Sequence, residues 1–214
     1  MLMTPAVNHE ARRQHVASIA AELACDRGLE SLTVRNVAAA AGYSTAIVSH
    51  YFTDKRDLLL ATYRWAADRS TARFEAAEQD GEGLRACVSA LLPLDEPRLR
   101  DWRVWFAFWG AAASDPELAR DQRDRVRSAR RRLERILRAG MAAGQLSAGA
   151  NPTQEARRLL VVVFGVSVQT VFDPAEWTAN KQLRFLDREL GDLVAAVNSN
   201  GLTRAPRPLI TIVT

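Results

Sequence analysis

The stretch TVRNVAAAAGYSTAIVSHYFTDK, residues 33–55, decides the fold of this chain. Apolar residues recur in it at helical spacing, first from Val34 to Ala41 and again from Ile47 to Tyr51. Gly42 stands where the first helix must end, and glycine tolerates the left-handed conformation that such an end requires. Thr33 and Ser44 can each accept a backbone N–H at a helix start. The stretch therefore predicts two short helices joined by a tight turn, the helix-turn-helix pattern.

The rest of the chain predicts more helix. The chain has 214 residues, 48% of them hydrophobic and 25% charged, which is ordinary for a globular protein. Only 8 Pro and 11 Gly are present, and Ala, Leu and Arg, which favour helix, are frequent. No segment shows a sustained period of two. The expected fold is all-α, with a three-helix helix-turn-helix DNA-binding domain (residues 1–55), a larger six-helix domain (56–198) and a tail (199–214).

Capping residues, glycines and prolines place the remaining helix ends. We expect a short disordered arm at residues 1–8, a first helix over 9–27, and a fourth helix that starts at Thr53 or Asp54 and runs to about Glu78. In the larger domain we expect helices over about 84–92, 99–113, 116–143, 152–172 and, opened by Asp173-Pro174, up to about Val197.

Charge is unevenly distributed. The formal net charge is +4 with a pI near 9.6, which favours an acidic partner such as nucleic acid. Acidic and basic residues nevertheless balance within residues 1–60, and the excess lies between Arg120 and Arg138. This Arg-rich run is either a second nucleic-acid surface or an ordinary solvated helix face.

Other functional classes find little support in the sequence. Cys25 and Cys87 have no CxxC spacing, so two buried thiols are expected rather than a redox switch. We find no glycine-rich phosphate loop, HExxH or metal-ligand cluster, and therefore expect no enzyme, cofactor or metal. The longest apolar run, residues 159–168, is too short to cross a bilayer, and the first residues do not form a signal peptide. A cytoplasmic protein without membrane contact is expected.

The motif and its surroundings resemble the TetR family of bacterial transcriptional regulators. The matching features, in order and spacing across about residues 10–60, are Gly28, Leu32–Val34, Val37-Ala38, Ala41-Gly42, Ser44, His50-Tyr51-Phe52, Lys55 and Leu58-Leu59. Within the family, STAIVSHYFTDKRDLLLAT is most similar to the choline-responsive repressors of the glycine-betaine pathway. The resemblance implies a dimeric repressor that binds a palindromic operator in double-stranded DNA and is released by a small-molecule inducer.

The resemblance also implies roles for single residues of the motif. The third helix of such a domain enters the major groove, where short side chains can contact thymine methyls and base edges. Arg35 is long enough to reach a guanine. The expected base-facing residues are Ser44, Thr45, Ala46, Ile47 and Ser49, and the expected phosphate contacts are Thr33, His50, Tyr51 and Lys55. Ile47 and His50 each have an alternative role, since Ile47 could pack against the first helix and His50 could be a structural cap. Phe52 is expected in the core.

The larger domain carries the expected dimer interface and ligand site. In the family the last two helices of each subunit form a four-helix interface, and apolar stripes here fit that role: Leu159, Val163, Leu183, Leu186, Leu190 and Leu193. The alternative is that both helices only close the core of a single chain. The family binds inducers in a cavity of this domain. The expected ligand-binding residues, most of them on the aromatic sixth helix, are Trp102, Trp105, Phe106, Trp109 and Phe164. A plain aromatic core is the alternative reading of the same pattern.

Aromatic faces attract cations, so a quaternary ammonium ligand such as choline is chemically reasonable. Glu96 or Asp101, both expected at the surface, could assist a cation, and Arg98 or Arg103 could pair with an anion. The sequence does not decide between them. Two other functions stay open: an architectural DNA-binding protein that uses the Arg-rich helix without a ligand, and an enzyme with its site in the larger domain.

Overall fold

The computed structural model describes the backbone of residues 5–194 and the side chains of residues 9–194. The regular secondary structure of the described residues is entirely helical, which confirms the all-α expectation. The helices are α1 (Pro5–Arg27), α2 (Val34–Ala41), α3 (Thr45–Tyr51), α4 (Lys55–Gln79), α5 (Gly83–Ser89), α6 (Glu96–Ala112), α7 (Pro116–Ala142), α8 (Pro152–Phe172) and α9 (Ala179–Val194), with a 3-10 turn at Leu29–Ser31. The tail at 199–214 and the expected helix end at Val197 lie outside the described residues.

The caps expected in the helix-turn-helix motif are present. The Thr33 hydroxyl accepts the Asn36 N–H at 3.2 Å, and the Ser44 hydroxyl accepts the Ile47 N–H at 3.3 Å. Gly42 ends α2 with φ at 66°, where a β-carbon would be strained. The Asp54 carboxylate accepts the Asp57 N–H at 2.8 Å and starts α4.

One apolar cluster holds the first three helices and the start of α4 together. Val16 on α1, Val37 on α2, Val48 on α3 and Leu58 on α4 are each 0% exposed. Burying a side chain of this size contributes about 1.5–3 kcal/mol, so the cluster fixes α3 on a platform made by α1 and α4. Phe52 is 1% exposed and belongs to the same cluster, as expected.

A second apolar cluster fills the larger domain. It joins α4 and α5 to α6 through α9, and Leu133 and Leu137 of α7 and Leu159 of α8 lie at its centre with 0% exposure. Helix α6 also packs on α1, because Val104 lies against Ala21 and Ala66 in a smaller cluster. Helices α4 and α6 therefore both connect the helix-turn-helix domain to the larger domain.

Several helix ends differ from the expected ones. Helix α1 begins at Pro5, inside the expected disordered arm, and α6 begins at Glu96 because Asp95 accepts the Arg98 N–H at 2.9 Å. Helix α5 ends at Ser89. Helix α9 begins only at Ala179: Asp173 accepts the Glu176 N–H at 3.0 Å in a turn that delays the helix. Local side-chain interactions of Asp95 and Asp173, which the apolar periodicity does not report, account for the starts of α6 and α9.

Candidate DNA interface and ligand cavity

Helix α3 presents a row of small exposed side chains. Ser44, Thr45, Ala46 and Ser49 are exposed, and Ile47 is exposed to 42%, although it is a large apolar residue. The side chains on the other face of α3, Val48 and Tyr51, are buried. Ile47 therefore does not serve as a core residue, and the expected base-facing residues lie together on one accessible surface. Arg35 on α2 is also exposed.

The residues expected to contact phosphate differ in accessibility. The side chains of His50 and Lys55 are exposed, and the Lys55 ammonium lies 3.8 Å from the Glu30 carboxylate, a loose surface pair. Thr33 is half-buried and caps α2. Tyr51 is only 9% exposed, so most of its side chain belongs to the core and the remainder borders a groove. Of the four, the structure brings His50 and Tyr51 together, in one groove beside α3.

Three residues that sequence reasoning missed adjoin the α3 surface. His9 and Arg12 on α1 and Tyr43 in the turn line a groove together with Ala46, Ile47, His50 and Tyr51. The His9 and Tyr51 rings lie 4.7 Å apart between centroids. The apolar period of α1 predicts only which face is buried. It does not show that the first turns of α1 lie beside the end of α3.

Arg13 holds α1, α3 and α4 in one arrangement. Its Nε donates to the Tyr51 carbonyl at 3.3 Å, and its Nη2 contacts an Asp57 carboxylate oxygen at 2.6 Å. The guanidinium also lies over the Phe52 ring at 5.0 Å from the centroid. Asp57 in turn accepts the Thr53 N–H at 3.1 Å. The orientation of α3 therefore depends on this arginine as well as on the apolar cluster.

A cavity of about 380 Å³ opens between α4, α6, α7 and α8. Of the five expected ligand residues, Trp102, Trp105, Trp109 and Phe164 line it. Phe106 does not. It is 37% exposed and packs edge-on against Phe172 at 5.2 Å, because it lies one position round the helix from Trp105 and faces outward. The expectation for Phe106 is corrected accordingly.

Helices α4 and α7 supply walls that sequence reasoning did not assign. Tyr63, Ser70 and Phe74 of α4 and Gln122 and Arg125 of α7 line the cavity. The Tyr63 hydroxyl hydrogen-bonds the Gln122 side-chain oxygen across the cavity, and burial raises the pKa of Tyr63 far above its ordinary value. Tyr63 therefore stays a neutral donor. The Tyr63 ring stacks on the Phe108 ring, with 3.8 Å between their centroids.

Three buried polar atoms of the cavity wall have no hydrogen-bond partner among the described residues: Ser70 Oγ, Trp105 Nε1 and Trp109 Nε1. The third indole of the wall differs, because Trp102 Nε1 donates to the Leu91 carbonyl at 2.9 Å. All three atoms are inaccessible to solvent, so they lie behind the surface that borders the cavity.

Helices α4 and α7, both inside the described part of the chain, have almost no close backbone contacts. They are joined instead by ion pairs between long side chains. Near the DNA-binding domain Arg56 contacts Asp115 and Glu117, each at 2.7 Å. Further along, the pairs are Arg64–Asp121 (2.7 Å), Asp68–Arg125 (3.0 Å), Glu75–Arg132 (2.9 Å) and Glu78–Arg135 (3.2 Å). We call this row of pairs the α4–α7 ladder. It spans the side of the cavity from the DNA-binding domain outward.

The α4–α7 ladder bears on the two interpretations of the Arg-rich helix α7, a second nucleic-acid surface or an ordinary solvated face. Arg125, Arg132 and Arg135 reach carboxylates of α4, and Arg127 and Arg130 contact carboxylates of α7 itself at 3.6 and 3.7 Å. Leu133 and Leu137 on another face of α7 are 0% exposed. Much of the positive charge of α7 is therefore neutralised inside the chain, which favours the structural interpretation over a second nucleic-acid surface.

The expected dimer residues require a correction. Leu159, Val163, Leu186, Leu190 and Leu193 are at most 6% exposed and belong to the core of their own chain, and Leu183 is half-buried. The five buried residues therefore do not lie on the surface of the single chain, and only Leu183 is partly accessible. The apolar stripe of α9 correctly predicts a buried face, but that face packs against the core of the same chain. The exposed apolar residues of these two helices are Val161 (70%), Phe172 (69%) and Val194 (49%).

Other chemistry has little basis in the described residues. Cys25 and Cys87 are free thiols, and burial raises the pKa of each, so they stay protonated and unreactive. Asp101 is 3% exposed rather than at the surface, bound by Arg69 at 3.3 Å and Arg73 at 3.1 Å. The described part of the chain holds no group of three or more His, Cys, Asp or Glu suited to a metal, and none of its helices is long and apolar enough to cross a membrane.

A helix-turn-helix domain with an exposed third helix, joined to a helical domain with an internal cavity, defines a class of DNA-binding regulators. Residues 18–62 match the profile of bacterial regulatory proteins of the tetR family, and residues 81–195 match that of the C-terminal domain of BetI-type transcriptional repressors. The chain belongs to the TetR family and is a DNA-binding transcriptional regulator.

Individual relatives agree with this assignment. The chain is 28% identical to the HTH-type transcriptional regulator PksA of Bacillus subtilis over 80% of this chain and 84% of PksA. It is 38% identical to the regulator BetI of Burkholderia thailandensis, in a match that covers 53% of this chain and 60% of BetI. A solved transcriptional regulator from Rhodococcus sp. Rha1 matches with a TM-score of 0.75 and 30% identity over 86% of this chain and 96% of that one.

A fourth comparison concerns the fold alone. A putative transcriptional regulator from Saccharomonospora viridis, solved in complex with choline, matches with a TM-score of 0.74 over 85% of this chain and 96% of that one. The identity is 19%. The two chains therefore share a fold.

Proposed function

We propose that this protein is a dimeric repressor that binds a palindromic operator through α3 and is released when a small molecule enters the cavity. The observation that carries the proposal is the course of α4, which follows α3 after a connection of three residues and then forms a wall of the cavity. A change in the cavity wall can thus reach the DNA-binding surface through one continuous helix. A regulator of this kind acts on chromosomal DNA in the cytoplasm.

In this proposal α3 lies in the major groove. Ser44, Thr45, Ala46, Ile47 and Ser49 face the bases, with Arg35 at a guanine edge. Ile47 contacts a thymine methyl, since it is the one large apolar group of the surface. The phosphate contacts come from His50, Lys55, the Thr33 hydroxyl and the edge of Tyr51, and Arg12 joins them because it borders the same groove.

We assign the dimer interface to the outward face of α8 and α9. Val161, Gly165, Val168 and Phe172 follow each other at steps of four, three and four residues on α8. Beyond Gly165, and beyond Gly191 on α9, the single chain leaves open space where a β-carbon would stand. Glycine inside a helix costs up to about 1 kcal/mol relative to alanine, which a closely approaching partner helix can offset.

The dimer explains how a nearly neutral DNA-binding domain can bind tightly. Few cationic contacts give each domain a modest counterion-release contribution. Joining two domains makes the second contact intramolecular, which can raise the overall affinity by about 10²–10⁴. The two α3 helices then need a separation of about 34 Å to enter successive major grooves.

Through the α4–α7 ladder, a bound ligand can change the separation of the two α3 helices. Each pair is at least partly solvent-exposed, and such pairs contribute only about 0–1 kcal/mol, so a ligand between the helices can rearrange them at little cost. The pair at the near end, Arg56 with Asp115 and Glu117, adjoins Lys55. A shift of α4 against α7 therefore moves the DNA-binding domain, and the operator-competent arrangement loses population.

Selection from random duplex DNA followed by footprinting tests the proposal. We expect the purified protein to enrich a palindrome with half-sites about one helical turn apart and to protect it as a discrete footprint. The control is a variant with Arg131→Gln and Arg138→Gln, exposed positions on α7, which should protect the same site. Diffuse coverage without an enriched sequence, lost in that variant, would instead support an architectural DNA-binding protein.

A further inference from the structure

We propose that DNA binding is coupled to proton uptake at a pair of histidines, His9 of α1 and His50 of α3, in the groove beside α3. In their protonated form the two rings neutralise a DNA phosphate, and this contribution is lost when they are neutral. The inference rests on the proposed function, because it concerns the regulation of the same DNA-binding surface. It is carried by the packing of the two rings, by the charges around them and by the charge balance of the domain.

The two imidazole rings lie side by side at the DNA-binding surface. The His9 and His50 ring centroids are 5.4 Å apart, and both rings also pack against Tyr51, at 4.7 and 5.4 Å. Both histidines are exposed, and they line a groove of about 760 Å³ together with Arg12 and Ile47. Because Ile47 faces the bases in the proposed complex, the backbone that flanks those bases comes within reach of the groove.

The described lining of the groove contains a cation and no carboxylate. Besides the two histidines, its titratable residues are Arg12, Tyr43 and Tyr51. The carboxylates of the neighbouring elements are engaged with other groups: Glu10 with Gln14 (2.9 Å), Glu30 with Lys55 (3.8 Å), Asp54 with the Asp57 N–H (2.8 Å) and Asp57 with Arg13 (2.6 Å). A DNA phosphate therefore supplies the anion that protonated rings lack in this groove.

This arrangement couples the binding of a phosphate to the binding of protons. Positive charges on two rings 5.4 Å apart, beside a third charge on Arg12, repel one another and oppose the uptake of the second proton. A phosphate beside the rings favours the protonated form of both. The DNA complex therefore holds more protons than the free protein, so affinity rises as the pH falls from about 8 to about 6, where imidazoles titrate. At still lower pH the free protein is protonated as well, and the gain levels off.

The charge balance of the helix-turn-helix domain makes this coupling matter. Six basic and six acidic residues balance within residues 1–60, so the fixed charges give no net attraction to DNA. All three histidines of the chain, His9, His15 and His50, lie in the same segment. Each further cation that contacts a phosphate steepens the dependence of log affinity on log salt concentration by about 0.9. Protonation of the pair in each subunit therefore strengthens a contribution that is otherwise small.

Titrations of the full-length protein with DNA at about pH 6 and about pH 8, at one salt concentration, test the inference. The DNA is the duplex enriched by selection, with a duplex of unrelated sequence alongside. We expect binding at least about tenfold tighter at the lower pH, which an average uptake of about half a proton per dimer across the interval suffices to give.

The variants are His9→Gln and His50→Gln, singly and together, because glutamine keeps a polar side chain but gains no charge in acid. The matched control is His15→Gln. His15 is exposed on α1 like His9, but it packs beside Tyr43 at 6.4 Å and does not line the groove. The readout is the ratio of the affinities at the two pH values within each protein, so a general loss of binding cancels. We expect the ratio to fall to about twofold or less in the double variant and to persist in the control.

Calorimetry in two buffers of different ionisation enthalpy, at about pH 7, measures the proton uptake itself. We expect net uptake when the unchanged protein binds the duplex and almost none with the double variant. This readout separates the proposal from a purely structural role of the rings. Lost packing against Tyr51 would weaken binding at every pH and leave the number of protons taken up unchanged.

Equal affinities at the two pH values would overturn the inference, as would a ratio that persists in the double variant or disappears in the control. The unrelated duplex separates this failure from failure of the proposed function, because phosphate contacts carry no sequence information. If selection enriches no operator, the proposed function is contradicted, and proton uptake on the unrelated duplex still decides the inference. Failure to bind either duplex at either pH would contradict both.

Discussion

Replacing Ile47 with aspartate is expected to abolish specific operator binding while leaving the fold intact. The side chain is 42% exposed on α3, so the change leaves no buried cavity. On DNA it removes an apolar base contact and places a carboxylate between two phosphate backbones. A lost base contact costs about 1–3 kcal/mol, and a dimer loses two, so the affinity should fall roughly thirtyfold or more.

Fluorescence anisotropy with a labelled operator at fixed salt measures this effect. The matched control is Ala139→Asp on α7, which adds the same charge at an exposed position far along the chain from the motif. The control should bind the operator within about twofold of the unchanged protein, since a distant surface charge is largely screened. Equal affinity of the Ile47→Asp variant and the control would contradict the role given to α3.

Replacing Val161 with aspartate is expected to convert the dimer into a folded monomer with very weak operator binding. Val161 is 70% exposed on α8, so the single chain tolerates the change. Across a two-fold axis the substitution appears in both subunits and buries two carboxylates without partners, which is strongly unfavourable. Without the dimer, the gain of about 10²–10⁴ from joined domains is lost.

Sedimentation of the protein at several concentrations reports the oligomeric state, and the operator titration reports the loss of affinity. Leu193→Ala provides a second comparison, because this residue is 3% exposed inside its own chain. It should lower the temperature of unfolding and leave the folded protein dimeric. A Val161→Asp protein that remains a dimer would show that the interface lies elsewhere.

The sequence predicts the parts of this molecule that depend on local rules. Thr33, Gly42 and Ser44 act as the motif requires, and four of the five aromatic candidates line the cavity. Residues that act through partners distant in sequence are harder to predict. Tyr63 and Ser70 look like ordinary core positions of α4 until α7 is placed opposite them.

The error in the dimer residues has the same physical origin. An apolar stripe shows that a helix face is buried, but it does not show whether the covering surface belongs to the same chain. On α8 the strongest apolar positions face the core of their own chain, and the outward face is marked instead by exposed Val161 and by Gly165. Asp101 was misjudged similarly, because its two partners, Arg69 and Arg73, lie on another helix, about one turn apart on α4.

The most direct test of the account is an operator titration at one salt concentration, with and without a saturating molecule that calorimetry shows to occupy the cavity. The account predicts that occupation lowers operator affinity at least about tenfold, as a coupling of 1–3 kcal/mol allows, and that the dimer persists. Operator affinity that stays the same while the cavity is filled would contradict the claim that α4 couples the two sites.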